Sequence, residues 1–391
     1  MDPRDLEKLD ERWSMHNYRR FGVEFVEGSG TRLTDSEGRE YLDFLTGIAV
    51  CSLGHCHPDV VAAIEDQAGR LMHTSNLFLS EPAIDLSRRL AESSLGGATF
   101  LCNSGAEAND AAIKIARKAA RTRGVSSPRI VVLEGGFHGR TMGAVSASPK
   151  MSQDPSFAPY LEGFDVVARD DADSLDQAVG AQTAGILIEP VQGEGGIHPI
   201  ADSVLSAARS AADRAGAALI FDEVQCGMGR TGSLWGYQPS GVEPDLLTTA
   251  KALGGGFPIG ACIASPSWSS VFEPGDHGST FAGGPMASRA ALAALEATCD
   301  PGLMDSVSAL GERLRVGLAG MSAFSQVRGR GLMVGADLAS GGGAPDLVTD
   351  LLSKGLITNA TGPATLRLLP PLVVTDQEVD RALELISGTV S

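Results

Sequence analysis

Between about residue 100 and residue 265, short continuous apolar runs alternate with amphipathic helical patterns, and no feature of the chain restricts its fold more. The runs are IVVL near 130, GILIEP near 185, AALIFDE near 217, LLTTAK near 246 and GACIA near 260. Segments such as NDAAIKIARKAARTR and SVLSAARSAADRAG, each apolar along one stripe, fall between them. Strands that are apolar on both faces must be covered on both, and alternating helices do this. The pattern therefore predicts an α/β fold with a mostly parallel central sheet. The two ends of the chain read differently. Residues 20–45 alternate between Gly and Asp turns and predict a small antiparallel meander. After Pro285 come an Ala-rich helix and then VRGRGLMVGADL and TLRLLPPLVV as strands, with GGGAP at 341–345 as a surface loop. A chain of 391 residues also exceeds one typical domain. The expected division is a large domain, 51–281, and a smaller α+β domain built from both ends, 1–50 with 282–391.

Charge narrows the partners. With 31 basic against 48 acidic residues the formal net charge is −17, which repels a phosphate backbone, so neither nucleic acid nor an anionic membrane is an expected partner. An anionic substrate would need locally placed arginines. The first residues, MDPRDLEKLDERW, are charged from the second position and lack the apolar core of a secretory signal. No apolar run is long enough to span a bilayer. Cys51, Cys56, Cys102, Cys226, Cys262 and Cys299 are scattered without a CxxC pair, as expected for reduced thiols in a cytoplasmic protein.

The chemistry concentrates at strand ends. FDEVQ (221–225) closes one apolar strand and TTAKALGGGFPIG closes another, with Lys251 twenty-nine residues beyond Asp222. In a parallel sheet the carboxyl ends open on one edge, where ligands bind, so Asp222 and Lys251 should face one crevice. Pyridoxal phosphate chemistry requires this pair: a lysine that forms a Schiff base with the cofactor aldehyde, and a carboxylate that keeps the pyridine nitrogen protonated. Taken alone, both could also be ordinary strand-end residues reaching solvent. A second element, CNSGAEANDAAIKIARK, turns from a strand through Ser104 and Gly105 into a helix whose unpaired N–H groups suit a phosphate. A third, GGFHGRT (135–141), sets Phe137 among glycines, where its ring can lie against a planar cofactor.

With these motifs go others in the same order along the chain: YLDFLTGIAV, LGHCHP, TSNLF, IEPVQGEGG, FDEVQCGMGRTG, HGSTFAGGP and LRLLPPLVV. Together they resemble the class III aminotransferases of fold type I over nearly the whole length. The resemblance implies a ping-pong transamination between an ω-amine donor and 2-oxoglutarate on pyridoxal 5′-phosphate, in a homodimer. It implies that Lys251 holds the cofactor and shuttles the proton, that Asp222 pairs with the ring nitrogen and that Gln225 lies near the ring hydroxyl. Val224 and Phe137 would sandwich the ring. Ser104, Gly105, Ala106 and His138 complete the expected cofactor contacts, with Thr280 reaching the phosphate from the partner subunit. Arg367 would bind a substrate α-carboxylate, Tyr18 and Arg140 would line the far end of the pocket, and Glu194 would act as a gate that pairs with the arginine. Three residues depart from the family pattern: Ala106 where many relatives have threonine, Leu79 at an often aromatic position, and Gly284 in place of asparagine.

Alternatives compete at several of these positions. Arg367, a lone charge in LRLL, could project from an exposed sheet face by period-2 alternation, and Glu194 could be a solvated loop carboxylate. Gly227, Gly229 and Gly232 form a literal GxGxxG, but a dinucleotide site needs a helix directly afterwards, and TGSLWGYQPSG cannot supply one. Cys51, His55, Cys56 and His57 do not match common zinc spacings, so no metal is expected.

Overall fold

The computed structural model describes residues 3–390; residues 1, 2 and 391, at the extremities of the expected smaller domain, lie outside it. Its centre is a seven-stranded sheet in the order Thr99–Cys102, Gly260–Ala264, Leu246–Thr249, Ala218–Asp222, Thr183–Ile188, Arg129–Leu133, Phe164–Val167. The last five of these run parallel to one another. Gly260–Ala264 is antiparallel to both neighbours. Chain length explains the reversal, because residues 250–259 are too few for a parallel crossover of about a dozen or more residues.

Both faces of this sheet are covered, as its continuous apolar strands require. Ile130, Val132, Leu187, Ile220 and Leu246 point to one side, where the Gly105–Thr122 helix buries Ala112, Ile115 and Ala116. Their neighbours Val131, Leu133, Ile186, Leu219 and Leu247 point to the other, against Leu205, Ala208 and Ala212 of the Asp202–Ala215 helix. The period of two along each strand is what divides the sets.

Residues from both chain ends build a second core. The meander Phe25–Ser29, Arg32–Asp35, Glu40–Asp43 is antiparallel and takes Leu356–Ile357 as a parallel fourth strand. A further antiparallel sheet joins Phe324–Arg330, Met333–Leu338, Thr365–Leu368 and Asn359–Ala360. Leu42, Phe44, Leu314, Val334, Leu366, Leu368 and Ile386 pack in one cluster. The Pro285–Thr298 helix, grouped by sequence with the smaller domain, buries Ala287, Ala291 and Leu295 in the core of the large sheet. The loop expected at 341–345 ends at Gly343, and Ala344 and Pro345 open a helix.

Arg230, fully buried, ties these parts together: Nη1 donates to the carbonyls of Leu332 and Pro370 and Nη2 donates to Ser52 Oγ. Burial pushes it down to about 9. Among the described residues no helix is long and apolar enough to cross a membrane, and the six cysteines are free thiols.

Candidate active site

Parallel pairing sets Asp222 beside Thr248, and the chain leaving Thr249 turns at Lys251 into a short 3-10 segment. Lys251 takes a φ of 44°, a left-handed conformation that a non-glycine residue holds only when its surroundings impose it, as at functional sites. Both residues line a cleft of about 310 Å³ on the carboxyl edge of the sheet. Burial holds the Lys251 ammonium below the usual lysine range; Glu194 opposes this and Arg367 adds to it.

Asp222 is buried and held at both oxygens. Oδ2 accepts from Asn109 Nδ2 and His138 Nδ1, each at 2.8 Å, and Oδ1 accepts from the Val224 N–H at 3.0 Å. Because a carboxylate only accepts, His138 carries its hydrogen on Nδ1. Asn109 is oriented in turn, accepting from Thr248 Oγ1 at 2.7 Å and donating to the His138 carbonyl at 2.8 Å. Glu189, at the end of the neighbouring parallel strand, accepts from the N–H groups of Phe137 at 2.9 Å and Gly193 at 3.0 Å. Burial pushes Glu189 up to about 7, with His138 opposing and Asp222 reinforcing.

At the other end of the cleft the Thr99–Cys102 strand delivers the N-terminus of the Gly105–Thr122 helix. Ser104 Oγ accepts from the Glu107 N–H at 3.2 Å while Glu107 Oε2 accepts from the Asn103 N–H at 2.6 Å, a reciprocal cap. The N–H groups of Gly105 and Ala106, which have no intrahelical partner, are left at the cleft. A Cβ on Gly105 would lie 2.6 Å from Val224 Cγ1, so only glycine lets the helix end approach this wall.

Arg367 is fully buried, which removes the exposed-face alternative: the loop carrying Glu194 covers its side of the sheet. Nε donates to Asn359 Oδ1 at 2.9 Å, and Nη1 donates to Glu194 Oε1 at 2.5 Å and Gln225 Oε1 at 3.3 Å. Among the described residues Nη2 is buried without a hydrogen-bond partner, and a buried guanidinium N–H favours an acceptor beside it. Burial raises Glu194, whose side chain is 33% exposed, but the charge and hydrogen bond of Arg367 outweigh this and hold it below the usual range. Glu194 is therefore not a freely solvated carboxylate.

The structure thus gathers Ser104, Gly105, Ala106, Phe137, His138, Asp222, Val224, Gln225 and Lys251 around one cleft, with Glu194 and Arg367 paired beside Gln225. Of the expected residues, Glu194, Arg367, Tyr18, Arg140 and Thr280 do not line the cleft itself, and the last three also lie outside the Glu194–Arg367 pair. Tyr18 is exposed beside Arg20, Arg140 is exposed over the Phe137 ring at 5.5 Å, and Thr280 lies on the surface. Sequence reasoning missed Asn109 and Glu189, although both carried a signal. Glu189 ends an apolar parallel strand as Asp222 does, and Asn109 falls one helical turn after Gly105, on the same face. No helix follows Gly227–Gly232, only turns and the three-residue Gln238–Ser240 segment. His55 is engaged with Asp43 at 2.7 Å, and no group of three or more His, Cys, Asp or Glu side chains among the described residues could hold a metal.

A buried amine, a firmly held carboxylate, a bare helix N-terminus and an aromatic wall match the four features of pyridoxal phosphate: its aldehyde, ring nitrogen, phosphate and ring face. The family model for class-III aminotransferases matches residues 14–390, and the chain belongs to that family. It is an aminotransferase and its cofactor is pyridoxal 5′-phosphate. The acetylornithine aminotransferase of Caldanaerobacter subterraneus subsp. tengcongensis is 44% identical over 387 residues, covering 98% of this chain and 98% of that protein. An ornithine aminotransferase of Toxoplasma gondii, whose structure shows partial occupancy of PLP at the active site, superposes with a TM-score of 0.93 at 33% identity, covering 99% of this chain and 93% of that one. The N-acetylornithine aminotransferase of Stenotrophomonas maltophilia K279a gives 0.84 at 37%, covering 98% of each.

Proposed function

We propose that this enzyme moves the terminal amine of N2-acetylornithine to 2-oxoglutarate, giving N-acetylglutamate 5-semialdehyde and glutamate, a step of arginine biosynthesis in the cytoplasm. The observation that carries the reading is the buried Arg367, paired with the Glu194 carboxylate and with its Nη2 unpartnered among the described residues; in this reading Glu194 covers the arginine and releases it. An enzyme that handles glutamate must hold an α-carboxylate next to the reacting carbon, whereas a donor reacting through its distal amine brings no carboxylate there. One arginine with a removable carboxylate partner serves both. The identity of 44% to a protein named acetylornithine aminotransferase supports this donor.

Bound pyridoxal phosphate supplies a carbonyl that takes up the amine and a ring that withdraws electrons from the substrate carbon. In this reading Lys251 holds the cofactor, and its Nζ, disfavoured as an ammonium by burial, takes the proton from the substrate carbon and returns it one position along. Asp222, fixed by Asn109 and His138, would pair with the ring nitrogen. Val224 and Phe137 would hold the ring, Gln225 would meet its hydroxyl, and the N–H groups of Gly105 and Ala106 would hold the phosphate. Tyr18 and Arg140, exposed outside the cleft wall, would receive the far end of the donor where it projects from the cleft. The large domain, 51–281, carries the cofactor, and the smaller one, 1–50 with 282–391, carries Arg367.

A donor panel with 2-oxoglutarate as acceptor tests the assignment. N2-acetylornithine is expected to give the highest kcat/KM, by about 10-fold or more over succinylornithine, ornithine, acetyllysine and 4-aminobutyrate, the scale of one or two lost pocket contacts. A higher value for any other donor would overturn it.

The same reading includes a homodimer in which Thr280 of the partner subunit reaches the phosphate. In support, Leu77, Phe78, Leu79 and Phe281 are exposed, and Asn76 Nδ2 donates to the Ala282 carbonyl at 3.0 Å, which sets the two segments side by side; exposed apolar residues brought together mark association. Sedimentation of the active holoenzyme should give a dimer, and Thr280→Ala should release cofactor more readily on dialysis. Full activity in a monomer would refute the shared site.

A further inference from the structure

Glu194 sits at the tip of a hairpin whose strands are Val191–Gln192 and His198–Pro199, and that tip is gripped from two sides. The large sheet holds it through Glu189, which accepts from the Gly193 N–H. The smaller sheet holds it through Arg328, whose Nε donates to the Gly196 carbonyl at 2.9 Å. The guanidinium is itself fixed, with Nη1 and Nη2 at 2.6 and 3.0 Å from the two oxygens of Asp337. Thr365 Oγ1 steadies Asp337 in turn at 2.5 Å. A forked pair of this kind sets the guanidinium plane and leaves Nε aimed in one direction. The Arg328 side chain is only 10% exposed.

The register of the smaller sheet gives this grip its meaning. Arg328 pairs with Gly335, and Gly335 pairs with Arg367, so the two arginines occupy one row of the sheet with a glycine between them. The hairpin tip rests on that bare glycine: a Cβ at Gly335 would lie 2.9 Å from Ile197 Cβ and 3.0 Å from the Gly196 carbonyl oxygen. The tip turns through a φ of 115° at Gly196, which glycine adopts freely, and is strained at Ile197, where φ is 60°, a value that a β-branched residue holds only under constraint. Ile197 is fully buried, packed with Val191, Met333 and Leu369.

We propose that Arg328 is a positioning residue for substrate selection, holding the Gly196 carbonyl so that Glu194 reaches Arg367 and thereby setting how readily Arg367 is released to an α-carboxylate. The proposal rests on the reading of Glu194 as a gate given above. Without this anchor the tip samples more positions and Glu194 covers Arg367 less of the time. Glutamate and 2-oxoglutarate then gain relative to a donor with a distal amine, which meets an uncovered arginine.

The test is a double-mutant cycle on the holoenzyme, with each half-reaction followed in single-turnover experiments by the absorbance of the bound cofactor. Arg328→Met and Glu194→Gln should each raise the ratio of the glutamate rate constant to the acetylornithine rate constant by about 5-fold or more. Combined, they should exceed Glu194→Gln alone by no more than the roughly 2-fold scatter of independent sites, since one acts through the other. Thr365→Val, which loosens Asp337, should shift the ratio the same way by a smaller factor, and it covers the case in which Arg328→Met does not fold. A purely structural arginine would slow both halves equally or multiply with Glu194→Gln, and either result would overturn its role while leaving the gate intact. Equal changes in both halves for Glu194→Gln itself would remove the gate, and the proposal with it.

Discussion

Replacement of Lys251 by alanine is expected to lower kcat by about 10⁴-fold, the upper range for losing a positioned group that moves a proton. The reasoning starts from where the lysine sits. Its backbone is held at a φ of 44°, its amine is in a cleft that disfavours the charged form, and Asp222 is on the same sheet edge. Among the described residues that line the cleft, Lys251 is the one lysine. The wild-type holoenzyme treated with borohydride should gain the mass of the reduced cofactor on the intact chain, and Lys251→Ala should not. Because Gly105, Ala106, Asp222 and Val224 are untouched, the variant should still bind cofactor reversibly, which separates loss of chemistry from loss of the site. Turnover within 10-fold of wild type would mean that another group moves the proton.

Arg367→Leu should divide the two halves of the reaction. In glutamate the amine and the α-carboxylate share one carbon, so a substrate whose amine reacts near Lys251 must place that carboxylate close by, within reach of Arg367. Losing a buried charge-assisted contact of this kind costs about 2–4 kcal/mol, or roughly 30- to 1000-fold in kcat/KM for 2-oxoglutarate and glutamate. The acetylornithine half, whose carboxylate lies several bonds from its reacting amine, should fall much less. Leucine suits the strand, between Leu366 and Leu368, but Glu194 then loses the partner that holds its carboxyl below the usual range. Glu194→Gln in the Arg367→Leu background should therefore have little further effect on glutamate. Equal losses in both halves would place Arg367 in a role common to all substrates.

Much of the chemistry was legible locally. The apolar runs marked the strands, and the strand-end rule brought Asp222 and Lys251 to one edge; Ser104 and Gly105 announced a helix start by their own cap chemistry. Each of these signals depends on a few neighbouring residues, so it survives without knowledge of the fold. The same rule applied to Glu189 would have found a residue that sequence reading passed over. The resemblance to the class III aminotransferases carried Arg367 and Glu194, which no local pattern could have joined, since one sits in a glycine-rich tip and the other in an apolar strand.

Tertiary structure alone decided the rest. The meander near the N-terminus captures Leu356–Ile357 as its fourth strand, Asn109 reaches Asp222 and Thr248, and the Glu194 tip rests on Gly335 between Arg328 and Arg367. Gly260–Ala264 reads like its parallel neighbours but runs against them, because its direction follows from the connection before it. Hydrophobic period and capping state which face a residue shows and where an element begins. Which distant strand lies alongside, and in what register, is settled only when whole sheets pack, and in this protein that register puts the two arginines in one row.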